Sequence, residues 1–252
     1  MESVNERHIA GAGTPESVWM ESFTTRNVFQ GTVVELLANS KTVHIIAPHP
    51  DDEILACGGI IQQLAQMKVS VQIVAVTDGE ASHPGSCRWP ASMLAAARRA
   101  EVKLATRMLA PQATRTRLQF ADGGVSASEN ELTVTLSALL DKNDIVIVPW
   151  RLDGHPDHEA VGRAGCKASA IRGCRLFEVP IWGWHWASPN RREFPWHRVV
   201  SIALSPEERY RKEQAIRFFR TQTEPDPGTG RAAVLPRFAL ERFRRPFEVV
   251  FR

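Results

Sequence analysis

The chain has 252 residues, 43% hydrophobic and 23% charged, with a formal net charge of +3. That suits one large domain better than two small ones. The mild charge, with arginines scattered rather than packed into one basic block, speaks against nucleic acid as a partner. Cys57, Cys87, Cys166 and Cys174 lack CxxC spacing, no apolar stretch approaches membrane-spanning length, and residues 1–20 lack the apolar centre of a secretory signal, so the expectation is a reduced, cytoplasmic protein.

A polar, glycine-containing leader runs to about residue 27. The first long apolar run, 43–48, reads as a buried strand and ends on His49-Pro50-Asp51-Asp52-Glu53. Pro50 disfavours helical geometry at His49 and keeps it extended, while the three acids enter the first turn of a helix over 53–67, where the helix dipole favours negative charge. A strand over 69–77 leads to a loop at 80–90, placed to form a rim or lid with His83, Arg88 and Trp89, and then to a helix over 91–109. After a strand over 117–120 and a helix over 129–140, a second apolar run, 144–149, is followed by His155-Pro156-Asp157-His158. The pattern closes with a helix over 159–170, strands over 175–180 and 198–204, and a helix over 206–221. Ser205-Pro206-Glu207-Glu208 starts that last helix with a capping box. The prolines and glycines of 224–230 make a loop that opens an extension to residue 252. This alternation predicts an α/β fold in a single domain over 1–252: a Rossmann-like, mostly parallel sheet with helices on both faces and a site at the C-terminal strand edge.

Alone, Asp-Asp-Glu at a helix start is ordinary dipole chemistry, and His-x-x-His is an ordinary surface or core pair. Together, at the ends of two parallel strands, they point to a metal. Three residues separate His49 from Asp52 and His155 from His158, so each pair can turn towards a common point. A His-Asp-His set gives zinc three protein ligands and leaves a fourth position for water. Competing motifs are poor. Gly11-Ala12-Gly13 has neither a third glycine nor a preceding strand, and no G-x-S-x-G elbow occurs.

Ala47-Pro48-His49-Pro50-Asp51-Asp52-Glu53 with His155-Pro156-Asp157-His158 resembles the PIG-L/LmbE family of zinc-dependent N-acetyl-sugar deacetylases. Thr77-Asp78-Gly79-Glu80, Arg98-Arg99-Ala100-Glu101 and Asp122-Gly123 carry the resemblance between the two strings. It implies His49, Asp52 and His158 as ligands of Zn2+ or another divalent metal, Asp51 as general base, and His155 as stabiliser of the oxyanion. Substrate contact falls to Arg98, with Arg99 a neighbouring competitor. In that scheme Asp157 holds His155 and favours its protonated form, and either Asp51 or His155 returns the proton to the departing amine. The tryptophans of Ile181-Trp182-Gly183-Trp184-His185-Trp186, spaced at strand period, either stack on a sugar ring or form a packed wall. The expected partner is a small N-acetylated sugar or glycoconjugate. The other readings are an amide hydrolase for a non-sugar acylated amine and a noncatalytic metal-stabilised module.

Overall fold

A computed structural model describes residues 7, 9, 11–38 and 40–252. The first part of the polar leader, residues 1–6, 8 and 10, lies outside the described residues. In chain order the elements that frame the molecule are α1 (Glu16–Thr25), β1 (Phe29–Gly31), α2 (Val33–Leu37), β2 (Thr42–Ala47), α3 (Asp52–Gln66), β3 (Ser70–Ala75), α4 (Ala91–Leu109) and β4 (Thr114–Arg117). There follow α5 (Glu129–Leu139), β5 (Ile145–Pro149), α6 (Pro156–Arg172), β6 (Arg175–Val179), α7 (Gly183–Trp186), β7 (Val199–Ala203), α8 (Pro206–Ile216), α9 (Arg220–Thr223), α10 (Arg237–Glu241) and β8 (Phe247–Phe251).

The strands form one eight-stranded sheet in the order β1-β7-β8-β6-β5-β2-β3-β4, parallel throughout except for β8, which runs antiparallel to both neighbours. Both central strands are apolar on both faces because both faces are covered. Val43 and Ile45 of β2 and Ile145 and Ile147 of β5 pack into a core with α3, whereas Ile46, Val146 and Val148 pack into a second core with Leu132 and Leu136 of α5 and Ala160, Val161 and Ala164 of α6. From β2 the chain winds outward through β3 to β4, then returns so that β5 pairs on the other side of β2, with Val43 opposite Ile145 and Ile45 opposite Ile147. This reversal opens a crevice at the carboxyl ends of β2 and β5, where ligands bind in open α/β sheets.

The predicted α/β architecture is the one observed, and the Ser205–Glu208 capping box forms with Pro206 at the first helical position. Four local expectations are corrected. The leader contains α1, held by Trp19, which is wholly buried and donates its indole N–H to Trp184 O at 2.9 Å. The edge strand lies at Thr114–Arg117 rather than 117–120, because Thr-Arg-Thr-Arg has no apolar pattern and is a strand only through its pairing with β3. The C-terminal extension supplies α10 and β8, the latter inserted between β6 and β7. The tryptophan run folds as a helical turn, not a strand.

Candidate metal centre and active site

The two motif strings meet at the crevice. Pro156 occupies the first helical position of α6 and His155 is its N-cap, so His155, Asp157 and His158 share the opening turn. Asp51 is the N-cap of α3, with Asp52 and Glu53 in its first turn. His49 Nδ1, Asp52 Oδ2 and His158 Nε2 then form a nearly equilateral triangle, with sides of 3.3, 3.3 and 3.2 Å. Tetrahedral ligands at zinc distances stand about 3.3 Å apart, which is this spacing.

In the neutral form that a metal requires, each imidazole keeps its N–H on an outer carboxylate and turns its other nitrogen inward. His158 Nδ1–H donates to Asp153 Oδ2 at 2.8 Å, which leaves Nε2 free to ligate. His49 Nε2–H faces Asp122 Oδ1 at 3.1 Å and Asp157 Oδ2 at 3.3 Å, leaving Nδ1 free. Burial works against positive charge on both rings, yet the surrounding carboxylates overcome it: His49 is held well above the usual histidine range and His158 is pushed up to about 9. For Asp52, burial works against the anion, but the charge and hydrogen bonds of His158 and His49 hold its carboxyl far below the usual range. A cation is stabilised at this point, as the donor set of a divalent metal requires.

Two other trios come close. His49, His155 and His158 offer nitrogens within 4.8 Å of one another, as do the donor atoms of His49, Asp122 and Asp157. In the first, His155 Nδ1 accepts from Asp157 N at 3.2 Å, so the neutral ring carries its proton on Nε2 and has no inward lone pair. In the second, the two carboxylates are acceptors for the His49 Nε2–H. The Asp52 triangle fits a metal better than either.

Asp51 stands beside the triangle, buried, with Arg98 Nη2 on its Oδ2 at 3.0 Å. Burial, opposed by Arg98 and assisted by Asp52, raises its pKa to about 6. Arg98 also donates to Gly79 O at 2.9 Å, while Arg99 turns away to Asp78 Oδ2 at 2.8 Å. Of the two arginines, Arg98 is the one that lines the cavity over the cluster. Gly79 has φ +71°, and a Cβ there would lie 2.2 Å from Arg98 Nη1, so this position needs glycine both for its backbone and for the guanidinium.

Two expectations about the second string are corrected. The Asp157 carboxylate bonds His49, Gly123 N at 2.7 Å and Val125 N at 3.2 Å, and it acts on His155 only through its charge, which favours the protonated ring, while the Asp157 backbone N–H holds His155 Nδ1. Nor is His155 protonated: burial, with repulsion from His158 and His49, pushes it down to about 3. The physical reason is crowding of three imidazoles, to which any bound metal adds positive charge. His155 is thus a neutral N–H donor at the cavity.

A cavity of about 80 Å3 covers the cluster, and Asp51, Arg98 and His155 line it together with Ser82, Trp182 and Gln222. Of the three tryptophans in the run only Trp182 lines the cavity, with Ile181 beside it. Trp184 is buried edge-on to Trp19 at 4.9 Å, and Trp186 stacks on Trp150 at 5.6 Å. Sequence reasoning missed Asp153 as a site residue. It is fully buried and accepts from Ile181, Trp182 and Gly183 N as well as from His158. Its signal was a lone carboxylate two residues before His155, with no motif around it. Asp122, noted with Gly123 in sequence, gains a role as acceptor for His49. Gln222 had no signal at all.

The sequence pattern of the PIG-L family, described as GlcNAc-PI de-N-acetylase, matches residues 44–169, half of the chain and both strings. The chain belongs to the PIG-L family. Among solved structures it is similar to the conserved protein TT1542 from Thermus thermophilus, at 27% identity and TM-score 0.52, over 71% of this chain and 79% of that one. It is also similar to the N,N'-diacetylchitobiose deacetylase from Pyrococcus horikoshii, at 23% identity and TM-score 0.58, over 81% and 80% of the two chains. GalB, the 4-carboxy-2-hydroxymuconate hydratase of Pseudomonas putida KT2440, shares the fold at 12% identity and TM-score 0.53, over 84% and 94%. No curated protein matches the chain. No helix among the described residues is long and apolar enough to cross a membrane.

Proposed function

We propose that this PIG-L protein is a metal-dependent N-deacetylase, with zinc as the metal and an N-acetylated amino sugar or glycoconjugate as substrate. The observation that carries the reading is the His49–Asp52–His158 triangle with the Asp51 carboxylate beside it. Family membership and the diacetylchitobiose deacetylase likeness support the choice of reaction, since the same fold in GalB serves a hydratase and fold alone does not select chemistry.

Held by His49, Asp52 and His158, zinc supplies Lewis acidity towards water and an amide carbonyl. The chain's own residues do the rest. Asp51, fixed by Arg98, takes the proton of the attacking water. His155 Nε2–H donates a hydrogen bond to the developing oxyanion, the kind of preorganised contact that usually dominates such catalysis. A neutral imidazole is too weak an acid to protonate the departing nitrogen, so Asp51 returns its proton there, and acetate and a free amine leave. Trp182 offers its indole face to the sugar.

The test is a panel of N-acetyl sugars with the zinc-loaded protein, detecting new primary amine and acetate, with His49→Ala and His158→Ala as metal-site controls. Asp51→Asn is expected to keep its zinc and lose turnover by about 10^2- to 10^4-fold. Unchanged turnover in Asp51→Asn removes the base assignment. Amine release only from non-sugar amides transfers the reading to an amide hydrolase of another class, and zinc binding without release from any acetamide leaves a noncatalytic module.

A further inference from the structure

Away from the active site, buried positive charge gathers at one place. Lys212 of α8, Arg242 just after α10 and Arg245 before β8 are each at most 4% exposed, and they line a second cavity of about 20 Å3 with Leu55, Trp184 and the carboxylate-bearing Glu248 among its other walls. That is room for one small sphere, about a water molecule in size.

Two carboxylates answer two of the three cations. Glu248 takes Lys212 Nζ at 2.7 Å while also accepting from Gly59 N and Ile60 N in the middle of α3, at 2.7 and 2.8 Å. Glu16 takes Arg245 Nε at 2.7 Å and Nη2 at 2.6 Å. Arg242 has no carboxylate at ion-pair distance among the described residues. Its Nη2 donates to the carbonyls of Ala12 at 2.7 Å and Thr14 at 3.0 Å, and its Nη1 stands 2.9 Å from His185 Nδ1. Both arginines keep one buried nitrogen without a hydrogen-bond partner, Arg242 Nε and Arg245 Nη1. Burial, reinforced by Arg245 and opposed by the charges of Glu16 and Glu241, brings Arg242 down to about 10.

We propose that this cavity binds a small monovalent anion, chloride in size, between Arg242 and Arg245. Three cations against one carboxylate in the lining disfavour a cation, and the volume excludes an organic acid. A water molecule satisfies the N–H groups but brings no negative charge to a lining of three cations and one carboxylate, where a buried cation is costly without a close counter-charge. The cavity adjoins a surface groove that shares Lys212, Phe243 and Arg245 with it and adds Arg209, Glu213 and Arg244. The ion ties the segment at 12–16 to the chain's C-terminal part, and Leu55 separates it from the active-site cavity, since that side chain lines both.

The experiment is thermal denaturation of the full chain in sodium gluconate, replaced stepwise by chloride or bromide at constant ionic strength, together with bromide-soaked crystals measured for anomalous scattering. Expected are a saturable rise in Tm of about 5 °C, its loss in Arg242→Met, and an anomalous peak within hydrogen-bond reach of Arg242 Nε and Arg245 Nη1. Should Arg242→Met fail to fold, the wild-type bromide peak decides. A water at the site with bromide only elsewhere on the surface overturns the proposal, whatever the Tm does.

Discussion

Asp153→Asn isolates the group that aims His158. The native carboxylate uses both oxygens: Oδ2 accepts from His158 Nδ1 at 2.8 Å and Trp182 N at 2.9 Å, and Oδ1 accepts from Ile181 N and Gly183 N, each at 2.8 Å. Asparagine keeps one oxygen and places an NH2 where the other was, so two buried donors lose their acceptor in either orientation. At about 1–3 kcal/mol per unsatisfied donor, the loss centres on about 4 kcal/mol. For a chain of this length that lowers Tm by about 8–16 °C. If the NH2 faces His158, the ring moves its proton to Nε2 and surrenders the lone pair aimed at the metal. Loss of such an orienting partner costs about 10- to 100-fold in metal affinity. The assay pairs calorimetry of metal-free protein with a zinc competition titration against a chromophoric chelator. A large fall in Tm with zinc affinity unchanged refutes the orienting role and leaves Asp153 as an anchor for the Trp182 turn only.

Asp157→Asn is expected to weaken zinc by about tenfold through His49 while leaving the His155 ring signals in an NMR spectrum in place; movement of the His155 signals with unchanged zinc affinity restores the partner expected from sequence. Gly79→Ala forces a left-handed alanine and drives a methyl into Arg98, so Tm should fall by about 2–8 °C for a strain of about 1–2 kcal/mol, with turnover reduced and zinc content unchanged; normal turnover argues against Arg98 as the holder of Asp51. Buried Glu178 disfavours its anion by burial, but hydrogen bonds and charge from Arg151, with Arg198, depress its carboxyl below the ordinary 4.5. The stability this adds is therefore present above about pH 4.5 and lost as the pH falls through the depressed value. Wild type should lose more Tm than Glu178→Gln between neutral and acid pH, and parallel Tm curves for the two proteins contradict the linkage.

How much was legible beforehand depends on whether the deciding interactions are local. The apolar runs at 43–48 and 144–149, the proline after each histidine and the acids at a helix start are short-range signals, and they determined the central strands, the helices that follow them and the chemistry delivered to the sheet edge. The family resemblance carried by the two strings implied His49, Asp52 and His158 as ligands, and the fold brings their donor atoms within 3.3 Å of one another. The resemblance did not reveal what stands behind them. Asp153, Asp122 and Asp157 orient the imidazoles of His158 and His49, and the orientation of a ring follows from which acceptor meets its far nitrogen, a contact that reaches across 108 residues for His49 and Asp157. Charge state is equally nonlocal: burial, with repulsion from His158 and His49, pushes His155 down to about 3 against the opposing charge of its neighbour Asp157. The leader and the C-terminal extension carried too little periodicity to be read as elements, since α1 is held by one buried tryptophan and β8 by the two strands it enters between. From the sequence alone came the identity of the reactive groups and the two strand ends that carry them. Only the tertiary structure decided which nitrogen of each histidine faces inward and which carboxylate supports it, because tautomer and ionisation are set by whatever surrounds a group in space.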